Sequence, residues 1–212
     1  MRGTTLSSVE ATVETGSGRS NSLGLRALLD GFSRREGRRA VLDLGPAQGQ
    51  NVEFFSQFAC RLSIADLYRS WRSLQEADPT SKLSFSTVCS QVLAFPVGKA
   101  FDYILAWDLL SYLTPEEVSL LGRRVTPLCR RETRLFALIS TRKQMPALPY
   151  DFRILNGETL DYGLRSRAVR ACPQYKEPDL ARMLPGFQVE STYLLRNGMQ
   201  EYVFSFGERA DG

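Results

Sequence analysis

Histidine is missing from this chain altogether. Its absence excludes a Ser-His-Asp or Cys-His hydrolase. It also excludes any histidine-ligated zinc or iron site, and no metal is expected. Whatever chemistry occurs must proceed without an imidazole base. Cysteine is scarce: Cys60, Cys89, Cys129 and Cys172 form no CxxC pair, and Cys60 and Cys89 sit in apolar runs that read as strands. That usage fits a reducing, cytoplasmic compartment. No apolar run is long enough to span a bilayer, so no membrane contact is expected. The N-terminal stretch lacks the apolar core of a secretory signal. Residues 1–22, rich in Ser, Thr and Gly, read as a flexible tail.

What is present suits one soluble domain over residues 23–212. The chain has 212 residues, 43% hydrophobic and 24% charged, as an ordinary globular protein has. Its net charge of +4 is unevenly placed. Residues 123–170 hold eleven arginines and lysines against Glu132, Asp151, Glu158 and Asp161, so the remainder is slightly acidic.

Periodicity gives the layout. "LGLRALLDGFSRR" has apolar residues at Leu25, Leu28, Leu29 and Phe32, a helical spacing. "RRAVLDLG" reads as a buried parallel strand ending near Leu44. "NVEFFSQFA" follows as a helix with Val52, Phe55 and Phe58 on one face. "RLSIADLY" is a second strand, ending at Asp66. "RSWRSLQEA" is a helix stopped by Asp78-Pro79. "KLSFSTVC" is a third strand and "AFDYILAWD" a fourth, ending at Asp108. "TPEEVSLLGRRV" is a helix with Thr114 as N-cap, Pro115 at its first position, and Glu116 and Glu117 in its first turn. "TRLFALIST" is a fifth strand. Such alternation requires βαβ units, hence an open, mostly parallel α/β sheet with helices on both faces. Ligands bind such sheets at the carboxyl ends of the strands.

The alternation breaks after Thr141. Residues 142–176 form an inserted basic and aromatic segment, with a hairpin signal at Asn156-Gly157. "EPDLARMLPGF" then reads as a helix, and "FQVESTYLLRNGMQEYVFSF" as two strands about Asn197-Gly198, a C-terminal antiparallel hairpin.

Asp43, Gly45, Ala47 and Gly49 stand at the end of the first strand. A turn that lets backbone approach a ligand needs minimal side chains; Pro46 has no N–H to donate. Asp66 ends the second strand, 17 residues after Gly49. Together with "FDYILAWDLLSYLTPEE" and the terminal hairpin, these residues resemble the class I S-adenosylmethionine-dependent methyltransferases of small-molecule type, over about residues 23–206. The resemblance implies a Rossmann-like, seven-stranded fold and S-adenosylmethionine as cofactor. It assigns Asp43, Gly45, Ala47, Gly49, Asp66, Ser90 and Trp107 to the cofactor, Asp66 accepting from the ribose hydroxyls. Ser90 stands where the family often carries an acid against the adenine. The loop "DLLSYL" stands where small-molecule enzymes often carry a histidine, so no base transfers. Asp108 and Tyr112 are the catalytic candidates. Methyl transfer from a sulfonium runs largely on proximity and alignment.

The bland alternatives are concrete. The glycine turn serves equally as a strand-to-helix turn, Asp66 as a solvated strand end, Trp107 as packing, and Tyr112 as core or rim. The basic window reads as a solvated face, as an entrance for an acidic acceptor, or, least well, as a nucleic-acid contact. Tyr150, Phe152, Tyr162 and Tyr175 in the insertion suit a substrate cover or a homodimer interface. The expected function is methyl transfer to a small acceptor; the alternative is a catalytically inactive methyltransferase-like binding or scaffold protein. A nicotinamide enzyme needs a third glycine where Val52 stands. A nucleic-acid methyltransferase would carry an Asn/Asp-Pro-Pro-Tyr/Phe tetrapeptide where "AWDLL" stands.

Overall fold

The computed structural model describes residues 17–30, 32, 37–77 and 84–207. Its centre is a six-stranded mixed sheet. β2 (Arg39–Asp43), β3 (Cys60–Ile64), β4 (Phe101–Trp107) and β5 (Cys129–Ser140) run parallel. β10 (Phe187–Leu194) and β11 (Met199–Phe206) close one side antiparallel, in the order β10-β11-β5-β4-β2-β3. β4 is buried at all seven positions, as a central parallel strand must be. Side-chain alternation divides the core between its two faces. Leu42, Ile104, Ala106, Leu135 and Ala137 face one layer, with α3 (Leu67–Ala77), α4 (Phe85–Val92), α5 (Pro115–Val125) and α6 (Glu177–Met183). Val41, Tyr103, Leu105 and Phe136 face α1 (Leu23–Asp30), α2 (Gly49–Ser56) and two covering strands, β7 (Asp151–Asn156) and β8 (Thr159–Gly163).

Local chemistry sets the element ends. Thr114 and Glu117 form a reciprocal capping box at the start of α5: Thr114 Oγ1 accepts the Glu117 N–H at 3.3 Å, and Glu117 Oε2 accepts the Thr114 N–H at 2.8 Å. Pro115 occupies the first helical position and Arg123 and Arg124 the last turn. Ser22 caps α1 through the Leu25 N–H. Glu201, fully buried on β11, accepts from Ser22 Oγ and from the Gly24 N–H, which ties α1 to the sheet.

Several expectations change. Among the described residues the sheet has six strands and is mixed, where seven, mostly parallel, are expected. "KLSFSTVC" is not a strand: Lys82 and Leu83 lie outside the described residues, Ser84 is an N-cap, and α4 follows. Phe85, Val88 and Cys89 are buried together, an i, i+3, i+4 set that coexists in this segment with the strand-like alternation of Phe85, Thr87 and Cys89. Cys89 is therefore helical. On α2 the buried face is Asn51, Phe54 and Phe55, while Val52 is 44% exposed. Of the flexible tail expected over residues 1–22, Gly18–Asn21 form β1, which pairs antiparallel with β8, and residues 1–16 lie outside the described residues.

Within 142–176 the chain is ordered. β6 (Gln144–Pro146) pairs with β9 (Val169–Ala171), and β7 pairs with β8 across the Asn156–Thr159 register. No described helix is long and apolar enough to cross a membrane. All four cysteines are free thiols.

Candidate functional site

β2 ends at Asp43, and the chain turns through Gly45 into α2. Asp43 is 1% exposed. Its Oδ1 accepts the Gly45 N–H at 2.9 Å and the Trp107 indole N–H at 2.6 Å. Burial pushes its carboxyl up to about 6; those two hydrogen bonds oppose the rise and the nearby Asp66 adds to it.

Trp107 is the last residue of β4 and has a positive φ of 49°, a conformation a bulky residue adopts only when its surroundings hold it. The Asp43 bond and Phe152 hold it: the two rings stack at 5.6 Å with 6° between planes. A Cβ on Gly45 would lie 2.6 Å from Trp107 Cδ1. Gly45 is thus required by the indole resting on it. Gly49 differs, since nothing lies within 4 Å of a Cβ placed there. Ala47 is exposed.

Asp66 follows β3 at the same end of the sheet. Its Oδ1 accepts the Arg69 N–H at 3.1 Å, capping α3. Burial raises its pKa, Arg165 and Arg69 lower it, and Asp151 raises it. Its carboxylate lines a cleft together with Gly45, Asn51, Trp107, Asp108 and Arg165. The sequence-assigned Asp66, Gly45, Trp107 and Asp108 therefore converge at the carboxyl ends of three adjacent strands. Ser90 does not join them. It lies on α4, bonds to the Ser86 carbonyl one turn back, and lines a separate cavity with Arg123 and Arg124.

The two catalytic candidates hold backbone. Asp108 is 5% exposed, and its Oδ2 accepts the Tyr150 N–H at 3.0 Å. Burial lifts its carboxyl to about 7 against that hydrogen bond and the field of Arg165. The Tyr112 hydroxyl is shared between the carbonyls of Leu148, at 2.8 Å, and Pro146, at 3.1 Å. Burial drives this phenol far above its ordinary range, so it is no base at neutral pH.

Sequence reasoning missed Asn51. Its amide, 2% exposed, donates to the Phe152 carbonyl at 3.1 Å and accepts the Ile154 N–H at 2.8 Å. It staples β7 to α2. Gln48 donates to Asp151 at 2.9 Å, and Arg165 pairs with the same Asp151 oxygen at 2.9 Å. An amide on the apolar face of a helix was the available signal.

The cleft has about 430 Å³ of unfilled space when its open mouth is counted, but a cavity volume of only about 20 Å³. That is room for one water molecule. Among the described residues no cluster of acids and cysteines is placed to hold a metal ion.

No protein-family model matches the chain, and no curated protein matches it. Solved structures do. An S-adenosylmethionine-dependent methyltransferase from Clostridium acetobutylicum ATCC 824 superposes with a TM-score of 0.52 at 10% identity, over 89% of this chain and 93% of that one. The N-methyltransferase NodS from Bradyrhizobium japonicum WM9, in complex with S-adenosyl-l-homocysteine, gives 0.50 at 17% identity, over 88% and 85%. With strand order, terminal hairpin and cleft position, these likenesses establish that the chain has the class I S-adenosylmethionine-dependent methyltransferase fold.

Proposed function

We propose that the protein is an S-adenosylmethionine-dependent methyltransferase acting on a small acceptor, with segment 142–176 as the cover of its site. One observation carries this reading: Asp66 and the Gly45 turn open on a single cleft at the carboxyl ends of adjacent parallel strands, where open α/β sheets bind nucleotides. The residues fit the cofactor at the ribose end. Asp66 presents a half-buried carboxylate, the group a vicinal diol needs, and Gly49 leaves the start of α2 bare for close approach. At the Gly45 end the indole of Trp107 rests in the cradle. A ligand of nucleoside size therefore enters only when Trp107 and the strand stacked on it, β7, give way.

The bound cofactor would supply a methyl group on a sulfonium, already an activated electrophile. The chain supplies position and water exclusion: Asp66 anchors, while Tyr150 and Phe152 close the site. Asp108 is the group whose proton affinity matches neutral pH, and it becomes free to hold a proton when the Tyr150 N–H withdraws. The free thiols fit a cytoplasmic setting.

A second reading, a catalytically inactive binding protein on the same fold, is favoured by the seating of Trp107 against Gly45. Calorimetry with S-adenosylhomocysteine separates the two. The enzyme reading requires binding that Trp107→Ala retains or strengthens and Asp66→Ala removes. The inactive reading predicts no binding to either variant or to the parent.

A further inference from the structure

A second cavity lies across Asp108 and Tyr150 from the cofactor cleft, and both residues line the two spaces. It has a cavity volume of about 20 Å³, and about 390 Å³ of unfilled space when its open mouth is counted, so anything larger than water is received at the mouth. The buried side chains of Tyr112, Met145 and Met199 give it apolar walls. Arg142, Gln144 and Asn197 give it polar ones.

Arg142 is the arginine of the basic segment that lines this cavity, and four others of the segment are paired elsewhere. Arg130 pairs with Asp102, Arg134 with Glu190 at 2.7 Å, Arg153 with Asp161 at 2.7 Å, and Arg165 with Asp151 at 2.9 Å. Arg142 has no carboxylate partner among the described residues. Its backbone is held by two hydrogen bonds. Its N–H donates to Ser140 Oγ at 3.4 Å, and its carbonyl accepts from Gln174 Nε2 at 2.6 Å. Its stem crosses the Asn197-Gly198 turn so closely that a Cβ on Gly198 would collide with it. Gly198, at φ 78°, meets both the turn's demand for a left-handed residue and the arginine's demand for space. A guanidinium on a packed stem and without a carboxylate partner among the described residues is suited to a planar anion, which it can bind with two parallel N–H bonds. The acid in the lining, Asp108, is already turned to the Tyr150 N–H.

We infer that this cavity, widened at its mouth, binds a small carboxylate, its anionic group on Arg142 with the amides of Gln144 and Asn197, and its apolar body against Tyr112, Met145 and Met199. Naming this ligand as the methyl acceptor rests on the proposed reading of the adjoining cleft; the carboxylate site itself does not.

Benzoate and its neutral counterpart benzamide are the probes, titrated by saturation-transfer NMR into the whole chain. Benzoate is expected to bind about tenfold or more tighter than benzamide, the size of a charge-assisted bidentate contact. Arg142→Gln removes that preference. Arg142→Lys, which keeps the charge and loses the fork, retains part of it. Asp66→Ala leaves benzoate binding unchanged. Equal affinities for the two probes overturn the proposal. So does a preference that survives Arg142→Gln, a preference lost in Asp66→Ala, or no benzoate binding at about 20 mM. S-adenosylhomocysteine titrated into the same proteins tests the cofactor reading separately. Benzoate bound at Arg142 without S-adenosylhomocysteine binding upholds the carboxylate site and overturns its assignment to an acceptor.

Discussion

Asp43 and Asp108 are two carboxyl groups taken out of water at the ends of neighbouring strands, and both are pushed toward the neutral form, to about 6 and about 7. An acid whose folded pKa lies above its unfolded value binds more protons in the native state. Its stabilising contribution is therefore complete below about pH 4 and is lost as pH rises through the folded pKa. Stability should fall between about pH 4 and 7 through these two groups. Asp108→Asn keeps an oxygen to accept the Tyr150 N–H and carries no charge. The variant is expected to be more stable than the parent at pH 8, by up to a few kcal/mol, since each tenfold change in proton affinity is worth about 1.4 kcal/mol. Near pH 4 it should match the parent. Urea midpoints at the two pH values check this; an equal effect at both would remove burial of charge as the cause. Tyr112 belongs at this scale too. Its hydroxyl holds the Pro146 and Leu148 carbonyls, so Tyr112→Phe should lower stability by about 1–3 kcal/mol through the unpaired carbonyls and leave the pH dependence of activity unaltered.

At the scale of elements, the β7–β8 hairpin is tied to α2 by Asn51, which satisfies a donor and an acceptor on the same strand, and by Gln48 at the helix start. Asn51→Leu keeps the volume and orphans both, and is expected to cost about 2–5 kcal/mol. Exchange of the Ile154 amide should accelerate more than that of β4 amides; a uniform acceleration would mean global rather than hairpin loosening. Thr114→Ala should cost about 1 kcal/mol at the start of α5. That cap is legible in the sequence because a capping box is a local pattern: Thr114, Pro115 and Glu117 carry the whole signal. Asp66 and Asp108 are legible for a related reason, since each lies just past a run that reads locally as a strand. What is not legible depends on partners distant in sequence. Asn51 is on a buried face because β7, a hundred residues later, needs its amide. Phe85 in "SFSTVC" alternates and also repeats helically, and only the neighbouring α3 and α5 decide between the two. Ser90 is assigned to the cofactor by the family resemblance alone; it lies on α4 and lines a different cavity. The use of Asp108 and Tyr112 as holds for residues 146–150 depends on where that segment lies, which no local pattern encodes.

At the scale of the whole molecule, the described residues form a six-stranded sheet of the methyltransferase fold, with Asp66, Gly45 and Trp107 gathered at its carboxyl ends. β7 and β8 lie on the face of α1 and α2, β1 adds a third strand to them, and Trp107 stacks between Phe152 and the Gly45 turn. With a cavity of about 20 Å³ at Asp66, the proposed cofactor reading requires Trp107 and β7 to give way on binding. Stopped-flow tryptophan fluorescence should give an association rate for S-adenosylhomocysteine below the usual range of about 10⁵–10⁷ M⁻¹s⁻¹, and Trp107→Ala should raise it. A parent rate near the upper end would show that the cover is open in solution. The central claim, that this cleft takes an adenosyl cofactor through Asp66, is tested most directly by calorimetric titration of the purified chain with S-adenosylhomocysteine, repeated on Asp66→Ala. Micromolar binding to the parent is predicted, with its loss in a variant that still unfolds cooperatively. Absence of binding to the parent, or binding that Asp66→Ala leaves untouched, would contradict it.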